Sequence, residues 1–311
     1  METSHSKVRI LDIDQRHHDQ RLDNFLLGQL KGVPKSLVYK LLRSGQVRVN
    51  KGRKKPDYRL QQGDQVRIPP VSTTEKDPSQ APRYLLEQIA KSILYEDDAV
   101  LVLNKPAGVA VHAGSNLSHG VIEALRQLKS EYESLELVHR LDRDTSGCLV
   151  LAKTRPVLMQ LHSLFREDKG LKKIYRAVLA GRWQGGERLI DAPLLKNTLQ
   201  GGERMVVVDE AGKPARSLFT PLAYYPDATL AEIELYTGRT HQIRVHAAHV
   251  GHPVAGDTKY GNDSFNQYLK QQGFKRMYLH AWKLSFKLDR PYSFTAPLDE
   301  EWDKLMQTLD T

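Results

Sequence analysis

The sequence predicts an α+β protein: a mixed, mostly antiparallel sheet with flanking helices, preceded by a small basic domain. Three observations carry this expectation. Strand-like segments are joined by hairpin turns, and helical patterns are scattered among them instead of alternating with them one for one. Charge is divided unevenly: residues 1–70 hold 15 Lys/Arg against 7 Asp/Glu, whereas residues 71–311 hold 31 against 30. A proline-containing segment, 69–83, lies between the two parts. The expected organisation is a basic domain over 1–68, a linker over 69–83 and a larger domain over 84–311, long enough for its own core.

In the first part, Leu22, Phe25, Leu26 and Leu30 recur at helical spacing, and Gly32 and Pro34 end that helix. Ser36 can cap a second helix carrying Leu37, Val38, Leu41 and Leu42, with Gly45 as its stop. Val47 and Val49 alternate with polar residues as a half-buried strand does. Asn50-Lys51-Gly52 makes a turn, and Gly63-Asp64 leads into a short strand at Val66 and Ile68.

In the second part, 93–95 and 100–103 flank the turn Glu96-Asp97-Asp98 as a hairpin. Val121, Ile122, Leu125 and Leu128 mark a helix, and 148–152 is an apolar run that reads as a buried strand. Thr154 can cap a helix with Leu158, Leu161 and Phe165 on one side. Segments 174–179, 205–208, 217–224 and 229–235 read as strands. Thr240 is expected to cap a helix running to Val250. Segments 278–286 and 292–295 are late strands, and a helix from about Leu298 closes the chain.

Composition narrows the function classes. The single cysteine, Cys148, excludes an internal disulfide framework and a multi-cysteine zinc site, and suits a reducing compartment. The first 14 residues hold no apolar stretch of signal-peptide type, and apolar runs such as 99–103 are too short to span a bilayer. The expectation is a cytoplasmic monomer with no membrane contact. There is no Gly-rich phosphate loop, dinucleotide fingerprint, His-Glu-x-x-His or Gly-x-Ser-x-Gly, so no metal or cofactor is expected. The local basic charge points to nucleic acid, the other reading being a solvated lysine-rich face.

Three polar clusters could carry chemistry. His139-Arg140-Leu141-Asp142-Arg143-Asp144-Thr145-Ser146-Gly147 sets charges and hydroxyls between apolar segments, which is costly unless they pair with each other or with a ligand. Asp142, with Arg140 and Arg143 nearby, reads either as an ionised nucleophile or base or as an ion-paired loop aspartate. Asp144 to Gly147 read as an Asx-type turn. In Thr237-Gly238-Arg239-Thr240-His241-Gln242-Ile243-Arg244-Val245-His246, a cap at Thr240 would set His241 and Arg244 on one helix face near its N-terminus, where a carboxylate or phosphate can sit. His241, His246, His249 and His252 invite a metal reading, but the spacing of the first two puts them on different faces and Asp257 is the one carboxylate nearby, so surface or RNA-facing histidines are the expectation. Lys173, Tyr175 and Ala177 share a strand face, where the tyrosine could stack on a base or simply fill the core.

Residues 35–38, 45–50 and 63–64 together resemble the S4-type RNA-binding module, with Lys35, Lys40, Arg43, Arg48 and Lys51 around its second helix and hairpin as RNA contacts. Residues 139–147, the Lys173/Tyr175 strand and 237–246 resemble the three motifs of the RluA-type pseudouridine synthases. Asn104-Lys105-Pro106-Ala107-Gly108 and Gly212-Lys213-Pro214-Ala215 are similar to that family's loops. The resemblance runs from about residue 20 to 300. It implies the pseudouridine synthase fold, large-subunit (23S) ribosomal RNA as partner, and isomerisation of specific uridines without a cofactor. In that reaction the C1′–N1 bond breaks and a C1′–C5 bond forms.

By the same resemblance Asp142 is the catalytic aspartate, Arg244 the arginine that pairs with it, and Tyr175 the tyrosine against the target base. Arg140 handles the displaced nucleotide, a flipped base having to leave its stack. His139, Lys173, Arg239 and His241 are expected at the substrate. Two other classes were weighed: a non-catalytic RNA-binding or ribosome-assembly protein, and a metal-dependent RNA hydrolase using Asp142, Asp144 and histidines.

Overall fold

The structure, a computed structural model, describes residues 4–5, 8–30, 33, 35–73, 80–114, 118–167, 170–198 and 204–311. The chain divides into two compact units between Gln80 and Ala81.

In the first unit, β1 (Ser4–His5) pairs with β5 (Ser72–Thr73). β2 (Arg9–Asp12), β4 (Gln65–Ile68) and β3 (Arg48–Val49) form an antiparallel sheet in the order β2-β4-β3. Helices α1 (Leu22–Gln29) and α2 (Lys35–Arg43) carry Leu22, Phe25 and Leu26, and Val38, Leu41 and Leu42, into one core with Val49, Val66 and Ile68. The strand β2 is absent from the sequence reading because its apolar residues do not mark a buried face: Ile10 is 62% exposed.

Two acids of this basic unit are structural. Buried Asp23 accepts from Arg21 Nε and Nη2 (3.1 and 2.7 Å) and from Tyr39 Oη (3.0 Å). Asp64 accepts from Asn50 Nδ2 (2.7 Å), Tyr58 Oη (3.1 Å) and Gln61 N (2.9 Å). Lys40, Arg43 and Lys51 are exposed. Arg48 donates to Gly45 O (2.9 Å) and Lys51 O (3.3 Å), so it also braces the turn between α2 and the sheet. Gly32, Pro34 and the side chains of Lys35 and Ser36 lie outside the described residues.

The second unit opens with α3 (Arg83–Lys91), a helix absent from the sequence reading, which ends the linker at residue 83. Ala81 is already buried in this unit's core, because an apolar helix face, Leu85 and Ile89, follows directly. The remaining elements are β6 (Ile93–Glu96), β7 (Val100–Lys105), α4 (Val121–Leu128), β8 (Glu136–Leu137), β9 (Ser146–Ala152), α5 (Arg155–Glu167), β10 (Lys172–Ala180), β11 (Arg188–Asp191), β12 (Leu194–Thr198), β13 (Arg204–Val208), β14 (Arg216–Tyr224), β15 (Ala228–Leu235), α6 (Gln242–His249), α7 (Asp263–Gln271), β16 (Leu279–Lys287), β17 (Pro291–Thr295) and α8 (Glu300–Leu309).

A ten-stranded sheet runs β11-β14-β15-β10-β16-β9-β7-β6, with β17 on β16 and β8 on β9. The β16–β9 pairing is parallel and the others are antiparallel. This is the expected α+β class. Strands β12 and β13 form a separate hairpin, with residues 199–203 outside the described set.

Residues alternate between the two faces of a strand. Ala177, Phe219 and Ile233 pack with Ile243 and Ala247 of α6. On the other face, Val178, Leu230 and Tyr278 pack with Leu269 of α7 and Trp302 and Leu305 of α8. A third cluster joins α3, α4 and α5 to β7 and β9. Helix α7 went unread in the sequence. Its signal is Asn262, whose Oδ1 accepts from Phe265 N (2.9 Å) as an N-cap.

Candidate active site

Residues 139–147 run from the loop after β8 into the first two residues of β9 and are tied down at several points. Lys105, fully buried at the end of β7, donates to Pro106 O (2.8 Å), Val109 O (2.8 Å) and Arg143 O (3.0 Å). Burial pulls its pKa down to about 7, opposed by the charges of Asp144 and Asp142. Three carbonyls match the three N–H groups that only the ammonium form has.

His139 Nε2 accepts from Val150 N (3.1 Å), and its ring stacks on Phe165 at 4.7 Å. Burial, with Lys173 adding to it, holds its pKa low, at about 3. The residue expected at the substrate therefore also anchors its own loop, as a neutral ring. Ser146 Oγ is 2.8 Å from His280 Nδ1, and His280 Nε2 donates to Ala296 O (3.0 Å). The expected Asx turn at Asp144 is not what closes the loop: its carboxylate takes Arg143 Nε (3.1 Å), and the turn is a backbone bond from Thr145 N to Asp142 O (3.2 Å).

Tyr175 sits on β10 where two residues of β16, Ala281 and Trp282, oppose one of β10. Such a bulge re-aims nearby side chains. Burial first, and the nearby Asp142 charge second, push the Tyr175 pKa up, so it stays a neutral phenol. Tyr175, Lys173, His139 and Phe165 line a small cavity of about 20 Å³, enough for about one water.

The third motif differs from expectation in how it starts. Thr240 does not cap α6. His241 holds the cap position with a left-handed backbone (φ 56°), and the first helical residue is Gln242. No side chain caps α6; the Gln242 side chain instead pins the loop before it, with Oε1 accepting from Arg239 N (2.9 Å) and Thr237 Oγ1 (2.8 Å), while Nε2 donates to Arg216 O and Ser217 Oγ (both 2.9 Å). Arg239, expected at the substrate, is exposed and donates from Nε to Pro214 O (3.0 Å). His246 is not a surface histidine: it is fully buried between Ser217 Oγ (3.0 Å) and Ala192 O (2.9 Å). His252 bonds Ala180 O (3.1 Å).

These motifs converge on Asp142. Arg244 Nη1 donates to Asp142 Oδ2 (3.1 Å), and His241 Nε2 lies 3.7 Å from the same oxygen. Asp142 Oδ1 has no hydrogen-bond partner among the described residues. Arg244 is itself held by Asp257, through Nε to Oδ2 (2.7 Å) and Nη2 to Oδ1 (2.8 Å). Burial opposes the Arg244 charge, and Asp257 outweighs it, so its pKa is raised.

Tyr260 Oη meets His241 Nδ1 (2.9 Å) and accepts from Val206 N (3.0 Å). Side-chain exposure grades outward along the chain of charges: 0% for Asp257, 10% for Arg244 and 21% for Asp142. Beside it lies a polar cavity of about 510 Å³, lined in part by Arg143, Asp144, Arg244, Asp257 and Lys275. Arg140 is exposed and makes no bond among the described residues. Tyr260 escaped the sequence reading, and Gln242 entered it only as part of the third motif. Asp257 was visible only as a carboxylate near histidines, which it does not contact.

Comparisons with known proteins bear on this site. The family model described as RNA pseudouridylate synthase matches residues 99–249, spanning all three motifs and the whole of α6, and an S4 domain model matches 20–66. Ribosomal large subunit pseudouridine synthase C of Pasteurella multocida is 50% identical over 307 residues, 97% of this chain and 94% of that one. The protein of the same name from Escherichia coli K12 is 49% identical over 316 residues, 99% of each.

The chain belongs to the RNA pseudouridylate synthase family. Among solved structures of this family, human RNA pseudouridylate synthase domain containing 1 matches with a TM-score of 0.57 at 26% identity, covering 70% of this chain and 94% of that one. Human RNA pseudouridylate synthase domain containing 4 matches in fold with a TM-score of 0.61 at 24% identity, covering 73% and 95%. The pseudouridine synthase fold and the S4 module expected from the sequence are thus both present.

Proposed function

We propose that this synthase isomerises specific uridines of large-subunit ribosomal RNA to pseudouridine, with Asp142 as the reacting carboxylate and no cofactor. The carrying observation is that Asp142 is held on Oδ2 by Arg244 at a partly open site, with no bond to Oδ1 among the described residues. The relatives' names give the RNA. The reaction conserves every atom and oxidises nothing, so residues that hold, orient and transfer a proton are enough for it.

Tyr175, neutral and apolar-faced, is suited to pack against the flipped base, whose unstacking costs a few kcal/mol. Exposed Arg140 is suited to the displaced nucleotide, with Lys173 and His241 lining the same site. His139 and Arg239 serve the substrate indirectly, by holding 139–150 and the Pro214 loop in place. Residues 1–68 form the RNA-binding arm, with exposed Lys40, Arg43 and Lys51 at phosphates and Lys35 and Arg48 beside them. The expected linker 69–83 shortens, because Val71 belongs to the core of the first unit and Ala81 to that of the second, so the catalytic part begins at Ala81. A reducing, cytoplasmic setting suits the single buried cysteine.

Asp142→Asn is expected to abolish pseudouridine formation, a loss on the order of 10³-fold or more, while leaving RNA affinity nearly unchanged. A site-by-site pseudouridine map of ribosomal RNA from cells lacking the gene, treated with wild-type or variant protein, reads this out. Turnover by Asp142→Asn would reject Asp142 as the reacting group.

A further inference from the structure

Arg244 stands between two carboxylates, and the two contacts are unequal. Asp257 takes Nε and Nη2 in a bidentate pair at 2.7 and 2.8 Å, fully out of solvent; Asp142 takes one bond from Nη1 at 3.1 Å and is 21% exposed. Asp257 is fixed in turn by Lys259 N (2.8 Å) and Tyr260 N (3.1 Å), both on Oδ1. The Tyr260 ring lies 5.1 Å from the guanidinium. So Arg244 has its direction set from behind before any substrate arrives, and most of its charge is already answered.

The other groups near Asp142 do not change this count. His241, from the α6 cap, has its pKa lowered by burial, against the pull of Asp142. Tyr175, from β10, is neutral. Arg143 is bound to Asp144, and Lys105 of β7 gives its three protons to carbonyls.

We propose that Asp257 is a positioning residue for the uridine isomerisation: it aims Arg244 at Asp142 and takes up its charge, so that Asp142 is oriented without being neutralised. Whether Asp142 attacks carbon or removes a proton, it needs an available electron pair, and a whole cation bound to it alone would damp that reactivity. Two carboxylates sharing one guanidinium leave a net negative charge at the reacting end. The inference rests on the isomerase reading above and adds a residue to it.

The test is steady-state kinetics on large-subunit ribosomal RNA from pH 5 to 9 with the full-length protein. Asp257→Asn is expected to lower kcat about 30-fold with KM within about 2-fold, and to move the acidic limb of kcat down by about one pH unit, as an undivided opposite charge does. Asp257→Glu keeps the charge but displaces it by a methylene. Its kcat is expected to fall about 10-fold, with the limb at the wild-type position.

Wild-type kcat in Asp257→Asn, or a loss confined to KM or to thermal stability, would overturn the proposal. If Asp257→Asn does not fold, Asp257→Glu decides: reduced kcat at unchanged KM and limb supports the proposal, and wild-type kcat overturns it. Absence of pseudouridine with the wild-type protein would instead reject the isomerase reading, so the two failures are distinct.

Discussion

Lys105 and Asp257 are both buried charges at the base of the site, and the fold satisfies them differently. Asp257 has a cation against it, whereas Lys105 has only carbonyl oxygens, one of them from Arg143 in the catalytic loop. A buried ammonium without a counter-ion is tolerable only while all its protons are bonded. Lys105→Met keeps the length and removes the donors. Leaving three carbonyls unpaired is expected to reduce stability by on the order of 3 kcal/mol, read from urea denaturation, and to lower kcat because Arg143 and Asp142 lose their tether. A loss under about 1 kcal/mol would show that water replaces the ammonium. Sequence reading placed Lys105 only in a loop similar to a family loop. Its burial depends on neighbours some forty residues away, which no local pattern reports.

At the scale of elements, the join between β9 and β16 decides how the site is built. Gly147 has a φ of 107°, and a Cβ there would run into the backbone of Ala281 across the parallel pairing of the two strands. The turn-like reading of 144–147 recognised a glycine but not the reason for it, since Ala281 is far along the chain. Gly147→Ala is expected to destabilise by about 3 kcal/mol or more, from backbone strain and the close approach together. Hydrogen exchange should then accelerate in β9 and β16 before the β14–β15 pair.

The start of α6 gives a similar lesson. A threonine before a helical run is a sound general signal for a cap, yet α6 has no side-chain cap: the Gln242 side chain holds the preceding loop, and His241 takes the cap position in a left-handed conformation beside Asp142.

Over the whole molecule, buried neutral histidines set the response to acid. Burial holds His280 at about 4 and His139 at about 3, and lowers His246 as well. As pH falls below the ordinary value of about 6.5, the unfolded chain takes up protons that the folded protein refuses. Stability is therefore unaffected above that pH and declines from there to about 4 for His280 and about 3 for His139. At about pH 5 these two should each remove on the order of 2 kcal/mol, seen as a lower urea midpoint than at neutral pH. His139→Gln should shrink that difference. Acids such as Asp97 act later: burial works against its charge, but backbone N–H groups of Val100 and Ala99, with Arg290, bring its pKa to about 2. Its contribution is lost as pH falls from the ordinary value of 3.8 to about 2, after most of the histidine loss is complete.

By itself the sequence determined the α+β class, the basic character of the first part, and the presence of a carboxylate, Asp142, in a knot of cations and hydroxyls. Periodicity, turn residues and charge runs are properties of neighbours in the chain, and that is enough to read them. The family resemblance already set Arg244 against Asp142, as the structure shows, and only the tertiary structure decided which acid holds that cation. Arg244 is 102 positions from Asp142, and Asp257 a further 13. They meet because sheet register and the seating of α6 on the sheet bring three distant backbones together, and pairing across such distances is set by packing, which no stretch of sequence contains.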